Sequence, residues 1–389
     1  MATTIRRLGA LAALVALPIG VALVAKPALA RKDTPPAPPL GLTAPLPEWR
    51  APGGRLVLQG RAVPRQRLTV RAGGRVVARA RAGPKGRFRI VLPSPGRAGA
   101  YPIRLNRLAV GTLRVRPLEL AAVGDVNLAV RGATDAWQDV APVLRRADLA
   151  VANLECAVST RGLAVAGKQY TFRGPPAALR ALPRAGVDAI SVANNHSLDF
   201  GREAFLDTLT TARAAGLAVV GGGRDLTAAR RPALFSAGGL RIALLGYSDV
   251  RPLGFDAGPG LAGTTPAFPE LIDADVRAAR GRADLVVVYF HWGTELATAP
   301  NARQRDLADV ALAAGAAVVL GAHPHVLQPV ERTGPRRLVA WSLGNFVFAA
   351  NSPGTTSTGI LLVHLALDGV RGARLVRARI EGVRPLLSD

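Results

Sequence analysis

Apolar runs that stop at a metal-binding residue constrain this chain more than any other feature. Residues 316–320 are apolar and read as a buried strand, and Gly321-Ala322-His323-Pro324-His325 follows them. In an extended segment the i, i+2 spacing of His323 and His325 puts both rings on one face. Two imidazoles side by side at a strand end form a pair of metal ligands, although two solvated loop histidines would look the same in isolation. The rest of the chain decides between these readings. It holds 5 histidines, and four of them (His196, His291, His323 and His325) come after predicted strands. His364 lies inside an apolar run instead.

The same pattern recurs along the chain. Asp125 ends the run 121–124, Asn153 and Glu155 follow 149–152, Asn194-Asn195-His196 follows 190–193, and His291 follows 286–290. One carboxylate after a strand is commonplace. Five strand ends carrying Asp, Glu, Asn and His are hard to explain as packing. Ligands gathered at one end of a sheet from separate strands are what α/β active sites use. From Glu119 onward, strand-like runs alternate with helical stretches at 136–146, after Pro175-Pro176, at 202–215, near 274–279 and at 302–314. After Val326 the pattern is strands only: 338–341, 345–348, 360–367 and 375–380. This texture predicts an α/β unit of two packed sheets with helices outside, over residues 118–389.

The 389 residues suggest two domains after removal of any leader, and the 49% hydrophobic content provides a sizeable core. Residues 1–30 have the order of an export signal: Arg6-Arg7, an apolar stretch over 8–25, and Ala28-Leu29-Ala30 at the cleavage position. The apolar stretch is also just long enough to serve as an uncleaved membrane anchor. Either reading makes the protein exported, secreted or associated with the cell envelope. Cys156 is the one cysteine, so no intramolecular disulfide forms. The linker 31–52 carries Pro35, Pro36, Pro38, Pro39, Pro45 and Pro47, which favour an extended spacer.

Residues 53–117 change texture again. Short alternating runs separated by Gly73-Gly74, Gly83-Pro84 and Pro95-Gly96 predict a small β-sandwich. Its layout resembles exported Ig-like or prealbumin-like modules. No aspartate or glutamate occurs from Ala51 through Leu118, against 16 arginine and lysine residues. These fall on the polar phase of the alternation, so one face is expected to be densely positive. That face is either a solvated surface or a docking site for an anionic polymer or lipid headgroups. The net charge of +24 favours polyanionic partners in general. For an exported chain these are envelope polymers or a membrane surface, and no nucleic acid is expected.

The strand-end blocks resemble a known family. Gly124-Asp125-Val126, Ala152-Asn153-Leu154-Glu155, the stretch from Ala193-Asn194-Asn195-His196 to Asp199-Phe200-Gly201, His291-Trp292-Gly293-Thr294-Glu295, Gly321-Ala322-His323-Pro324-His325 and Ser342-Leu343-Gly344-Asn345-Phe346 occur in the order typical of CapA proteins. These are the capsule and poly-γ-glutamate synthesis proteins, whose fold is similar to that of calcineurin-like metallophosphoesterases. The resemblance covers about residues 118–383 and leaves out the basic module. It implies a metallophosphoesterase-like two-sheet sandwich and one or two divalent ions (Mn, Zn or Fe).

The resemblance also implies roles. Asp125 and His325 belong to the first metal, Glu155 bridges, Asn195 is a ligand, and His291 and His323 complete the second metal. Asn127 stands where the pattern normally has a histidine. His196 is the acid that protonates the leaving group. Asp199 either orients His196 or caps the helix after Gly201. Lys168, Tyr170 and Arg173 fall in a segment near the site and are read as a phosphate or carboxylate clamp. Asn153 joins them as a substrate-binding residue, and Glu295 faces either substrate or solvent. The chemistry implied is metal-dependent cleavage of a phosphoester in envelope-polymer metabolism, on an anionic polymer or a phosphorylated substrate and beside a membrane-bound polymer synthase. The rival reading is a non-catalytic, polymer-binding accessory factor of such a synthase.

Overall fold

Strands that are apolar on both faces need cover on both faces, and residues from 118 onward supply it in four layers. The computed structural model describes Thr3–Thr4 and residues 39–388. The leader expected at 1–30 and the spacer up to residue 38 therefore lie outside the described residues, apart from Thr3–Thr4. Among the described residues no helix is long and apolar enough to cross a membrane.

One sheet runs in the order Ala218–Val220, Ala189–Ser191, Leu149–Leu154, Leu118–Val126, Ser357–Ala366, Gly369–Glu381 and Arg384–Leu387, and Asn345–Val347 also pairs with Leu118–Val126. The other runs Ala233–Ala237, Leu240–Ser248, Leu285–His291, Val318–Ala322, Leu338–Ala340 and Val330–Arg332, with Thr3–Thr4 at its edge. Successive residues point to opposite faces. Leu120 and Ala122 enter the core between the sheets with Ile242, Leu244, Val287 and Tyr289. Ala121 and Val123 face the other way, against residues of the helices Ala141–Arg146, Ala181–Ala185 and Gly201–Ala214. On the far side Val286, Val288 and Phe290 pack with the helices Pro269–Arg280 and Ala302–Ala314. The expected two-sheet sandwich flanked by helices is observed.

The helix read at 136–146 is shorter than expected. A 3₁₀ turn at Ala133–Asp135 precedes it, and the α-helix is only Ala141–Arg146. Pro142 is the reason. Proline lacks the amide for an interior helical hydrogen bond but is accepted in the first turn, so the helix begins around it. The stretch near 274–279 is longer than expected, running over Pro269–Arg280 with Pro269 at its start.

The basic module is a sandwich of two sheets. One comprises Gly41–Leu42, Arg55–Arg61 and Arg87–Pro93; the other comprises Trp49–Arg50, Leu108–Val115, Gly99–Leu105, Arg67–Ala72 and Arg75–Arg81. Leu56, Leu58, Val70, Ile90, Ile103 and Leu113 fill the space between them. Residues 41–50 were expected in an extended spacer. They are instead part of the module, contributing a short strand to each sheet.

The module is fixed to the larger domain at a dense seam. The Ala51 and Arg55 amides donate to Gly238 and Gly239 carbonyls, each at 2.8 Å, and the Leu367 amide donates to Pro52 at 3.0 Å. Arg116 makes a two-pronged contact with Asp148 at 2.6 and 2.7 Å, with its guanidinium 3.7 Å from the Trp49 ring centre. Trp49 passes so close to Gly238 that a Cβ there would meet the indole at 2.2 Å. All these groups lie where strands of the larger domain begin. Asp148 precedes Leu149–Leu154, and the Gly238-Gly239 turn precedes Leu240–Ser248. The module therefore occupies the N-terminal end of the parallel strands.

Gly124 marks the opposite end. A Cβ there would lie 1.8 Å from the Gly344 carbonyl oxygen, so only glycine lets Leu118–Val126 approach the chain entering Asn345–Val347. Gly124→Ala should destabilise the protein by about 3 kcal/mol in urea melts, whereas Gly96→Ala, with open space around it, should stay within about 0.5 kcal/mol.

Candidate metal centre

Several strands that run to the C-terminal end of the two sheets deliver polar residues to one point. Asp125 ends the central strand, buried, and its register neighbours are Asn153 on one side and Asn345 on the other. Asn153 Nδ2 donates to Asp125 Oδ1 at 2.8 Å and lies 3.3 Å from His291 Nδ1. The His323 backbone amide donates to Asp125 Oδ2 at 3.2 Å. Expected as a substrate-binding residue, Asn153 is instead a buried link between Asp125 and His291.

Glu155 is the centre of the cluster. Its side chain is 0% exposed, and neither of its oxygens has a hydrogen-bond donor. His291 Nε2 lies 3.5 Å from its Oε1, His325 Nε2 3.9 Å and His196 Nε2 4.0 Å. His323 Nδ1 is a third buried atom without a partner. One ligand atom each from Glu155, His323 and His325 lies within 4.8 Å of the others. A buried, unpaired carboxylate costs several kcal/mol unless a cation answers it. The mixed nitrogen and oxygen donors match a divalent transition ion, so the residues present fit the metal that the family resemblance implies. Asn195 Oδ1 and His291 Nε2, 2.7 Å apart, complete the ring of donors.

Titration behaviour reflects the same crowding. Burial, then the neighbouring Asp125, pushes the Glu155 carboxyl well above the usual carboxylate range. Burial and the other histidines push His291 well below the ordinary imidazole value and take His323 down to about 4. For His325 burial pulls downward, but Glu155 and Asp125 outweigh it and raise the imidazole to about 10.

The His-Pro-His backbone corrects the expectation of an extended pair. Val318–Ala322 ends before the first histidine, and His323 and His325 have φ of 97° and 59°. A left-handed backbone is unfavourable for residues with a Cβ and clusters at functional sites. The rings still adjoin, with centres 5.8 Å apart, because the chain turns sharply rather than running straight.

Beside the cluster stands a His–Asp pair. His196 Nδ1 lies 2.7 Å from Asp199 Oδ2. An ionised carboxylate only accepts, so Nδ1 carries the proton and Nε2 is left facing Glu155. Lys168 Nζ donates to the other Asp199 oxygen and to the Asn195 carbonyl, and the Phe172 amide donates to Asp199 Oδ2 at 2.7 Å. The Phe172 ring stacks on His196 with centres 4.2 Å apart. Of the two readings of Asp199, the geometry matches orientation of His196; Phe200, not Asp199, is the N-cap of Gly201–Ala214. Burial lowers the His196 pKa, and Asp199 opposes that shift.

Other expected residues have partners of their own or face solvent. Asn127 is buried, but its Oδ1 accepts from the Ala129 amide at 2.9 Å and so is committed to a local turn. Tyr170 is 62% exposed, with Gln169 as its hydroxyl's partner. The Arg173 guanidinium covers the Phe200 ring and donates to the Gly162 carbonyl, and Glu295 is an exposed loop residue. Of the expected clamp, Lys168 alone reaches the site, and it holds Asp199 rather than facing open space. Cys156 is buried with its thiol pushed up to about 12, chiefly by burial, and is chemically inert.

Three contributors were given no role from sequence. Asn345 Oδ1 lies 2.9 Å from His325 Nδ1, Asn194 Nδ2 donates to Leu154 O at 2.7 Å, and Phe172 stacks on His196. The Ser342–Phe346 block carried Asn345, but only its register with Asp125 gives it a purpose.

Comparison with known proteins places this architecture. The chain belongs to the family described as bacterial capsule synthesis protein PGA_cap, which matches residues 119–350. It is 34% identical over 241 residues to the PGA biosynthesis protein CapA of Bacillus subtilis, covering 61% of this chain and 63% of that protein. It is 29% identical over 283 residues to the capsule biosynthesis protein CapA of Bacillus anthracis, covering 69% of each. The chain thus spans less than two thirds of the first relative. Among solved structures, the NAD nucleotidase of Haemophilus influenzae aligns with TM-score 0.44 and 13% identity, covering 68% of this chain and 56% of that one.

Because His325 is raised to about 10 without metal, an ion that takes its ring nitrogen displaces a proton. Metal affinity should therefore rise with pH through the neutral range, about tenfold per unit for each proton released, as read by calorimetry in buffers of differing ionisation enthalpy. Glu155→Gln should abolish retention of stoichiometric metal on a desalting column, whereas Asn127→Ala should retain it.

Proposed function

We propose that this chain is an exported, metal-dependent hydrolase of the phosphoester type that serves capsule or poly-γ-glutamate synthesis at the cell envelope. Family membership supports the polymer context. The reading of hydrolase rests on one observation: the unpartnered Glu155 carboxylate lies within 4.0 Å of the His196 imidazole, whose other nitrogen is fixed by Asp199. Asp125, Glu155, Asn195, His291, His323 and His325 would hold the metal. A divalent ion bound there would act as a Lewis acid, polarising a phosphoryl oxygen and lowering the pKa of water.

The chain's own residues account for the rest. With Nδ1–H held by Asp199, Nε2 is the nitrogen free to take up a second proton, and the imidazolium so formed would release it to the leaving oxygen. Lys168 and Phe172 restrict Asp199 and the ring, so the proton is handled at a fixed position. Phe172 and Phe348 form a half-buried aromatic rim beside His196 and His325.

A second reading, a polymer-binding accessory factor without turnover, is favoured by Asn127. A histidine there would add a strong ligand, while the asparagine spends its oxygen on the backbone.

The two readings separate on purified protein loaded with Mn or Zn and assayed on a chromogenic phosphodiester. For the hydrolase, His196→Ala should lower kcat by about 10²–10⁴-fold while metal content stays unchanged. His323→Ala should lose metal and activity together. Metal-loaded wild-type protein without turnover on phosphodiester or phosphomonoester would favour the accessory role.

A further inference from the structure

The basic module is not used by the site, and its surface is unlike that of the rest of the chain. All 16 arginine and lysine residues between Ala51 and Leu118 are exposed. Among the described residues only Arg116 has a carboxylate within salt-bridge distance, Asp148. The register sets like charges directly opposite one another: Arg61 faces Arg87 on the three-stranded sheet, and on the other sheet Arg67 faces Arg81 and Arg71 faces Arg104. Such pairs destabilise a sheet, so stability does not explain them.

The cations lie on the outer faces of both sheets, on opposite sides of the sandwich. The three-stranded face continues into a cleft of about 750 Å³ against the larger domain, lined by Arg55, Arg89, Arg241, Asp284 and Leu367 among others. Asp284 is paired with Arg241 there, which leaves Arg55 and Arg89 as the unpaired charges. Along a strand face, residues i and i+2 stand about 7 Å apart, so Arg87 and Arg89 continue a ladder of cations toward the cleft.

We propose that this module docks a flexible linear polyanion, a polymer of repeating carboxylates or phosphates that follows the arginine rows. A planar bilayer could touch one outer face only, whereas a flexible chain can follow both and enter the cleft. The exposed large apolar residues of the module are Val63, Val77, Val91 and Leu108, on separate strands and turns, and no exposed aromatic wedge accompanies them. Guanidinium groups match carboxylate and phosphate oxygens two at a time, and all but one of the 16 cations are arginine. The docking surface lies at the end of the parallel strands away from Glu155. The nine-residue strand Leu118–Val126 spans about 25–30 Å between them, so a monomeric anion at one end leaves the other free. The inference does not depend on the metal centre.

The test uses the full chain with three probes: polyglutamate, inorganic polyphosphate and phosphatidylglycerol vesicles, at 50 and 300 mM salt. Expected is tight polymer binding that falls steeply with salt; the stronger of the two polymers identifies the oxyanion. Two triple variants, Arg61→Gln/Arg87→Gln/Arg89→Gln and Arg67→Gln/Arg79→Gln/Arg81→Gln, should each weaken binding about tenfold at 50 mM salt and flatten the log–log salt slope by about 2. Thermal melts should show both variants folded, since they remove repulsion. Inorganic phosphate at matched ionic strength should not compete. The proposal is overturned by salt-insensitive or absent binding to both polymers, by binding to vesicles alone, by variants that bind as the parent does, or by competition from inorganic phosphate.

Discussion

A carboxylate enclosed by protein without a donor to either oxygen is a charge awaiting a counter-charge, and Glu155 is that group. The surrounding architecture acts to hold it there. Leu149–Leu154 is buried on both faces, so Glu155 cannot swing toward water without uncovering two cores. Tyr289 ties the sheets together by donating to the Val123 carbonyl at 2.7 Å, just before the strand ends. Asn153 and the His323 amide fix Asp125, so the second carboxylate cannot relax away from the first. Bringing two acids this close is unfavourable by itself. Protonation of His325 offsets part of that cost, and a divalent ion among the donors would offset more, so binding of an ion there would be coupled to the stability of this end of the sandwich.

Much of this was legible because buried parallel strands read as continuous apolar runs, and the polar residue that ends each run stands out. The convergence of Asp125, Glu155, His196, His291, His323 and His325 follows from that pattern and from the rule that α/β sites gather at one strand end. The backbone at His323 and His325 was not legible. Local spacing cannot show that the strand stops at Ala322 and that the backbone then turns left-handed at His323 and His325. Asn345 was hidden for a different reason. Its partners, Asp125 and His325, come from segments far apart in the chain, and only the pairing of a late strand with the first brings them together. Asn127 was read by position in a pattern, whereas its side chain was captured by a nearer donor, the amide two residues on. Lys168 was read as part of a phosphate or carboxylate clamp; in the structure its ammonium lies against a carboxylate of the chain itself, Asp199.

The basic module was legible in composition and incomplete in geometry. Alternation of arginine with apolar residues predicts an outer cationic face, and both sheets present one. That the module grips the larger domain through Trp49, Ala51 and Arg116 could not be read from the spacer-like prolines, because proline limits the backbone without specifying what it packs against.

The placement of the two charged regions bears on the proposed function. One is a buried pocket of nitrogen and oxygen donors that suits a cation, and the other is a broad exposed surface of cations that suits an anion. If they shared one end, the arginines would compete with the metal for the same phosphate and would draw polymer across Glu155 and His196. The seam at Gly238-Gly239 and Asp148 prevents this by fixing the module to the opposite edge of both sheets. A long polymer held by the module would reach the metal centre only by running the length of the domain, whereas a short phosphorylated group could enter without meeting the arginines. On the proposed reading, separation by rigid strands, rather than by a mobile linker, would let one chain hold a polymer and leave the Glu155 cluster open.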